Sequence, residues 1–326
     1  MKVLATGGAG YVGSHCVRRL LAAGHDVVVY DDLSSGHAAS IPEGVPLVNA
    51  GLADLAALDQ ALTRCDAVMH FAAFLDVGES VREPLKYYEN NLVNSVRLLA
   101  LMRDRGVRRF VFSSTCATYG EPERLPISEG TTQSPINPSG HTKLAIEWAL
   151  RDSTVGWGLG ACALRYFNAA GAATDGSIGE DHDPEIHLIP VVLQVALGQR
   201  ENVKIFGTDY PTPDGTCIRD YVHVEDLAEA HLLALEALEG GRFDAYNVGT
   251  GVGTSVRELI EATRQVTGHA IPAVETERRP GDPPRLFADP ASIKAALGWS
   301  PRYTRIAETI ETAWRWHRGH PQGYGD

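Results

Sequence analysis

Residues 1–32 constrain this chain more than any other stretch. Lys2–Thr6 is a short apolar run of strand character that breaks into Gly7-Gly8-Ala9-Gly10-Tyr11-Val12-Gly13. Ser14–Ala23 then carries apolar residues at helical spacing, Gly24-His25-Asp26 turns the chain, and Val27–Tyr30 reads as a second buried strand ending at Asp31-Asp32. Strand, glycine turn, helix, strand, acid is the layout of a dinucleotide site. Gly7 allows the tight turn, Gly10 leaves room for a pyrophosphate, and Gly13 lets the helix pack closely. The helix N-terminus offers free N–H groups to phosphate. Asp31 is placed to accept a hydrogen bond from an adenosine ribose 2′-hydroxyl, and its charge opposes a 2′-phosphate, which favours NAD over NADP.

The Gly-x-x-Gly-x-x-Gly spacing resembles the short-chain dehydrogenase/reductase superfamily. Alternation of strand-like and helical runs continues beyond it: strands over Val45–Val48, Ala67–Phe71, Arg109–Ser113 and Ala161–Asn168, and helices over Leu55–Leu62, Tyr87–Arg105 and Ser139–Leu150. In the long helix, Leu92, Val96, Leu99 and Met102 share one apolar face. This pattern predicts an α/β fold, a doubly wound, Rossmann-like parallel sheet, with ligands beyond the strand C-terminal ends. After Asn168 the texture changes. Ala169–Pro184 is rich in Gly, Ala and Asp, Ile189–Leu197 and Val222–Leu238 look helical, Gly268–Pro284 is a charged loop, and Ile306–His317 makes a terminal amphipathic helix. We expect an NAD-binding domain over 1–169 and a smaller mixed α/β substrate lobe over 170–326. The two are interleaved, with a strand near 245–248 returning to the first sheet.

A net charge of −12 argues against a nucleic-acid partner. An anionic ligand must then be gripped by a few local cations. Five scattered cysteines without metal-ligand spacing read as reduced, mostly buried thiols, and the twelve histidines suggest no metal cluster. The opening residues run straight into a strand and no run approaches membrane-spanning length, so a cytoplasmic protein without a membrane partner is expected.

Phe112-Ser113-Ser114-Thr115 ends a strand at the rim where a ligand would lie, followed by Asn137-Pro138-Ser139-Gly140-His141-Thr142-Lys143. In the superfamily that the chain resembles, Tyr-x-x-x-Lys stands here. Its i,i+4 spacing puts phenol and ammonium on one helix face, and the ammonium lowers the phenol pKa to make a base. This chain keeps Lys143 but has Ser139 at the tyrosine position.

Over nearly its whole length the chain resembles the UDP-glucose 4-epimerases of the extended short-chain dehydrogenase group. The carrying segments are Gly7–His15, Val77–Asn91, Ser113–Gly120, Arg165–Asn168, Gly179–Pro190, Phe206–Val224, Tyr246–Ser255 and Arg278–Asp282. The resemblance implies transient oxidation at the sugar C4 by tightly held NAD, rotation of the keto sugar, and return of hydride to its other face. It places Thr115, Ser139 and Lys143 at the catalytic positions. Gly7, Gly10, Tyr11, Val12, Gly13, Asp31, Asp32, Ser35, Leu52, Phe71, Ala72, Ala73, Asn90, Lys143, Tyr166 and Phe167 fall at cofactor contacts. Thr115, Asn168, His187, Leu188, Lys204, Phe206, Arg219, Arg279, Asp282 and Leu286 fall at the UDP-sugar site, with the two arginines on the diphosphate. It also implies a homodimer through a four-helix interface made by the Tyr87–Arg105 and Ser139–Arg151 helices.

Several positions depart from the family pattern. Gly51 stands where an Asp usually meets the adenine amino group, and His187 where some members have Asn. Cys116 and Ala117 lack the acid used by dehydratases and decarboxylases of the group. Leu286 is smaller than the tyrosine of glucose-restricted members, which implies room for an N-acetylated sugar. Ser139 is the serious departure, because a serine hydroxyl is shorter than a phenol and lacks its accessible pKa. Two alternatives stay open beside an impaired epimerase: an NAD or nucleotide-sugar binding protein without turnover, and another NAD-dependent nucleotide-sugar-modifying enzyme.

Overall fold

A computed structural model describes residues 1–279 and 282–325. Pro280 and Gly281, within the Arg278–Asp282 segment, lie outside the described residues. The chain opens with β1 (Lys2–Thr6), α1 (Tyr11–Ala22), β2 (Asp26–Asp31), β3 (Leu47–Asn49), α2 (Leu55–Ala61) and β4 (Ala67–His70). It continues with α3 (Val77–Arg82), α4 (Pro84–Tyr87), α5 (Asn94–Arg105), β5 (Arg109–Thr115), α6 (Pro138–Trp157), β6 (Gly160–Tyr166) and β7 (Asn168–Ala170). Then come α7 (Leu188–Ala196), β8 (Val203–Phe206), β9 (Ile218–His223), α8 (Val224–Glu236), β10 (Phe243–Val248), β11 (Gly253–Ser255) and α9 (Val256–Thr267). Strands β12 (Ala273–Thr276) and β13 (Arg285–Leu286) precede α10 (Ala291–Leu297) and α11 (Ile306–Gly319).

Seven strands form one parallel sheet in the order β10-β6-β5-β4-β1-β2-β3. Alternate strand residues face opposite sides, as the pleat requires. Val3, Ala5, Val29, Met69 and Leu164 pack on α1 and α8, while Leu4, Val28, Val68, Phe110 and Phe112 pack with residues of α2, α5 and α6. Burial on both faces explains the unbroken apolar runs. The strand order reverses at β1, so the crevice between β1 and β4 is where a ligand belongs. The expected return of a strand near 245–248 is β10, which pairs with β6 from Phe243 to Val248. Beyond the sheet, β9 pairs with β7, β11 and β13, β12 pairs with β8, and α7, α9 and α11 enclose a separate apolar core.

Local differences from the sequence reading have identifiable causes. The strand expected at Val45 starts at Leu47, since Pro46 has no N–H for the ladder. The Tyr87–Arg105 helix is not continuous: Tyr88–Val93 is π-helical between α4 and α5. There the Asn91 amide exchanges two hydrogen bonds with the Phe74 backbone, and Ser95 Oγ donates to the Asn91 carbonyl. Val96 is consequently not on the buried face but exposed, beside buried Leu98, Leu99 and Met102. The strand expected through Asn168 breaks at Phe167, whose N–H donates to Val248 O. His223, read as helical, ends β9 and caps α8 by accepting from Glu225 N. The expected Gly268–Pro284 loop contains β12.

Candidate active site

A single cleft runs along the sheet's C-terminal edge, from the β1–α1 turn to the N-terminus of α6. Its lining includes Gly7, Gly10, Tyr11, Val12, Gly13, Asp31, Asp32, Ser35, Leu52, Phe71, Ala72, Ala73, Asn90, Thr115, Ser139, Lys143, Tyr166, Phe167, Asn168 and His187. The expected cofactor positions and catalytic trio are therefore brought together.

The turn is fixed by backbone. Gly7 sits at φ +72°, and a Cβ there would lie 2.5 Å from Ala72 N. A Cβ on Gly13 would lie 2.2 Å from Gly7 O, so Gly13 serves the turn itself as well as helix packing. A Cβ on Gly10 would approach only Gly7 O, at 3.4 Å, among the described residues. That position opens onto the cleft, as close approach of a pyrophosphate requires. Helix α1 begins there with no side-chain cap, leaving its first-turn N–H groups for an anion. The Asp31 carboxylate accepts from Ala9 N and Leu33 N, both at 2.9 Å. Asp31 thus ties the glycine turn to β2 and also lines the cleft, and burial raises its pKa. Open cradle, uncapped helix and acid together fit NAD.

At the other end, Thr115 Oγ1 accepts from Ala117 N at 3.1 Å, which leaves its own proton to donate outward. Lys143 is buried on α6, its Nζ donating to Ser113 O at 2.8 Å and lying 4.8 Å from the centre of the Phe112 ring. Burial lowers its pKa to about 8, against the pull of Glu147. Ser139 is also buried, and its carbonyl accepts from Thr142 Oγ1. Its hydroxyl has no hydrogen-bond partner among the described residues. His141 is exposed and bonded to Pro135 O, so it offers no replacement base.

Beneath these residues lies a network that the sequence reading missed. The Glu147 and Arg165 side chains are 1% and 3% exposed and meet at 2.6 Å. Ser114 Oγ donates to Glu147, Arg165 donates to Tyr119 OH, and Tyr119 OH donates to Asn247 Oδ1. Glu147 follows Lys143 by one helical turn, the only signal of it in the sequence. Tyr166 OH accepts from Ser113 Oγ at 3.0 Å, which holds the ring at the cleft.

The expected UDP-sugar residues divide. Asn168 and His187 line the cleft, whereas Leu188, Lys204, Phe206, Arg219, Arg279, Asp282 and Leu286 stand outside that lining. Lys204 is exposed on β8, a position that does not bring its side chain to the cleft. Leu188 opens α7 against the α7–α9–α11 core. Arg219 Nη2 meets Asp282 Oδ1 at 2.9 Å and Arg279 Nε meets Asp282 Oδ2 at 3.3 Å, leaving one net positive charge. The Arg279 guanidinium lies 4.6 Å from the centre of the Phe206 ring. Leu286 pairs with Arg219 in register and packs in a small apolar cluster that includes Phe167 and Cys116. Burial in this region pushes the Cys116 thiol up to about 12, in keeping with a packing role.

Two of the twelve histidines and two glutamates lie together in a group that the sequence reading did not single out. Glu180 and His182 join His187 at the cleft, and Glu185 lies behind them. Burial alone would lower the histidine pKa values, but the two carboxylates override it and hold His182 at about 9 and His187 at about 10.

A family model described as the NAD dependent epimerase/dehydratase family matches residues 3–249. The UDP-glucose 4-epimerase of Halalkalibacterium halodurans is 52% identical over 99% of this chain and 98% of its own length. Among solved structures, UDP-glucose 4-epimerase from Brucella ovis in complex with NAD superposes with a TM-score of 0.92 at 47% identity, covering 96% of this chain and 97% of that one. The Bifidobacterium longum UDP-glucose 4-epimerase in complex with NAD+ and UDP gives 0.95 at 36% identity, covering 99% and 100%.

Proposed function

The chain belongs to the NAD dependent epimerase/dehydratase family, and from that premise we propose that it interconverts UDP-glucose and UDP-galactose by inverting C4 of the sugar. It is an isomerase whose cofactor is NAD. The observation that carries the reading is the meeting of Thr115, Ser139 and Lys143 in one cleft with the glycine turn.

The α1 N-terminus, Asp31, Phe71–Ala73 and Lys143 would hold NAD, which when bound would supply reversible removal of hydride from C4. The chain's own residues handle the proton and the position of the sugar. Thr115 presents its hydroxyl proton to the sugar 4-oxygen. The Lys143 ammonium uses one N–H on Ser113 O and keeps two for the nicotinamide ribose hydroxyls. Ser139 stands where a phenolate would take the 4-hydroxyl proton, but its hydroxyl has neither the reach nor the acidity. A positioned base contributes roughly 10²–10⁴ in rate, so turnover is reduced by about that factor.

Arg219 and Arg279 serve the UDP diphosphate, with Asp282 as the counter-ion that orients them. Leu286 stands where glucose-restricted members of the group carry the larger tyrosine, which supports acceptance of the N-acetylated pair as well, through its packing beside the cleft residue Phe167. Exposed Val96, Trp148 and Val155 on α5 and α6 suit a four-helix homodimer interface, and five free thiols suit a cytoplasmic location.

Ser139 favours a second reading, a nucleotide-sugar binder without turnover. Conversion of UDP-galactose to UDP-glucose, measured for this chain and for Ser139→Tyr, separates the two. A gain of about 10²–10⁴ with tyrosine supports the epimerase, whereas no activity in either protein supports the binder.

A further inference from the structure

The loop between β7 and α7 carries Glu180, His182, Glu185 and His187, and one ligand atom from each lies within 4.8 Å of all the others. The two carboxylates are 4% and 3% exposed. His187 Nδ1 is 2.6 Å from Glu180 Oε1 and 3.5 Å from Glu185 Oε1. His182 Nδ1 is 3.5 Å from Glu180 Oε1 and 3.6 Å from Glu185 Oε2. Both Nδ1 atoms are shut off from solvent, yet neither completes a hydrogen bond. Ordinary histidinium–carboxylate pairs would turn the ring N–H onto an oxygen. Here the two rings and two carboxylates crowd one another, with His187 Nδ1 and Glu180 Oε1 in close contact but the ring N–H groups not aligned on the oxygens.

The loop is held firmly enough to preserve that arrangement. A Cβ on Gly179 would lie 2.2 Å from the Trp316 indole, and Trp316 Nε1 donates to Glu180 O. Backbone N–H groups of Ile186 and His187 both donate to Glu185 Oε1, fixing that carboxylate.

We propose that Glu180, His182, Glu185 and His187 form a binding site for a divalent transition-metal ion, with zinc the best match. Two imidazoles and two carboxylates make a tetrahedral N2O2 set suited to zinc. The carboxylates otherwise hold protons on both imidazoles, so an incoming dication displaces those protons to solvent, and the two carboxylates then balance its charge. Magnesium is disfavoured because it demands octahedral oxygen ligands and keeps its waters. The site does not depend on the sugar proposed as substrate or on turnover.

The untagged full-length protein, stripped with EDTA, is titrated calorimetrically with Zn2+, and its metal content is measured by mass spectrometry. One ion per chain with micromolar or tighter affinity is expected, without competition from Mg2+. His182→Ala and Glu185→Gln should each weaken binding by about tenfold or more. Circular dichroism and a cooperative thermal transition report that each variant is folded. Co2+ should give the intense visible bands of a tetrahedral site, lost in His182→Ala. Absence of stoichiometric binding, binding that survives both substitutions, or an octahedral cobalt spectrum would overturn the proposal.

Discussion

Two ion-paired regions, one under the cleft and one beyond it, use the same residue types in opposite ways. Arg165 and Glu147 are almost wholly buried, and they bond to each other, to Ser114 and to Tyr119. Arg219 and Arg279 share Asp282 at the second region, where the side chains are 14%, 60% and 24% exposed. Burial makes the first pair part of the scaffold, since losing one partner leaves a charge without solvent. Partial exposure makes the second a counter-ion arrangement that an anionic ligand can enter at little cost to the fold.

The largest expected effect breaks the comparison if it fails. Glu147→Gln should destabilise the protein by about 3–5 kcal/mol, read as a fall in Tm, because Arg165 keeps its charge without its partner. Gly13→Ala comes next, at about 3 kcal/mol, with loss of NAD from the purified protein, because the Cβ meets backbone that has no rotamer to yield. Lys143→Met tests the cost of a buried cation. The folded pKa of about 8 lies below the unfolded value, so between about pH 8 and 10.5 the unfolded chain binds more protons and stability rises with pH. Denaturant titrations should show that rise, about 1–3 kcal/mol, in the parent and not in Lys143→Met. A pH-independent parent would refute it. Arg219→Ala should move Tm little while weakening UDP binding about tenfold by calorimetry. Asp282→Asn should be smallest, below about 1 kcal/mol in stability. A large Tm loss there would mean that the two regions are alike after all.

The cofactor end of the site was legible because it is built from backbone. Glycines, a buried strand and an acid at fixed spacing leave one geometry open, and Gly7, Gly13 and Asp31 occupy it. The return of β10 could be read from Ala245–Val248 because its apolar run matches a doubly buried strand. What stayed hidden depends on contacts distant in sequence. The π-helical turn exists because Asn91 binds the Phe74 backbone, and α-helical periodicity carries no trace of that. The Glu147–Arg165 pair joins a helix to a strand, and neither residue stands out alone. The Glu180–His187 cluster escaped notice because its side chains alternate two residue types along a loop, a pattern unlike the familiar metal spacings.

The β10 strand has a consequence for how the protein comes off the ribosome. The edge of the main sheet beside β6 stays open until residue 248 has emerged, about eighty residues after β6 itself. Asn247 then bridges to Ile127 O and Tyr119 OH, tying the late strand to the early half. A nascent chain halted near residue 170 would expose β6 as an unpaired apolar edge, a template for pairing with another chain. Cutting the cofactor-binding half out as a minimal module should therefore yield an aggregating fragment, and carrying the chain through Val248 is the shortest way to close that edge.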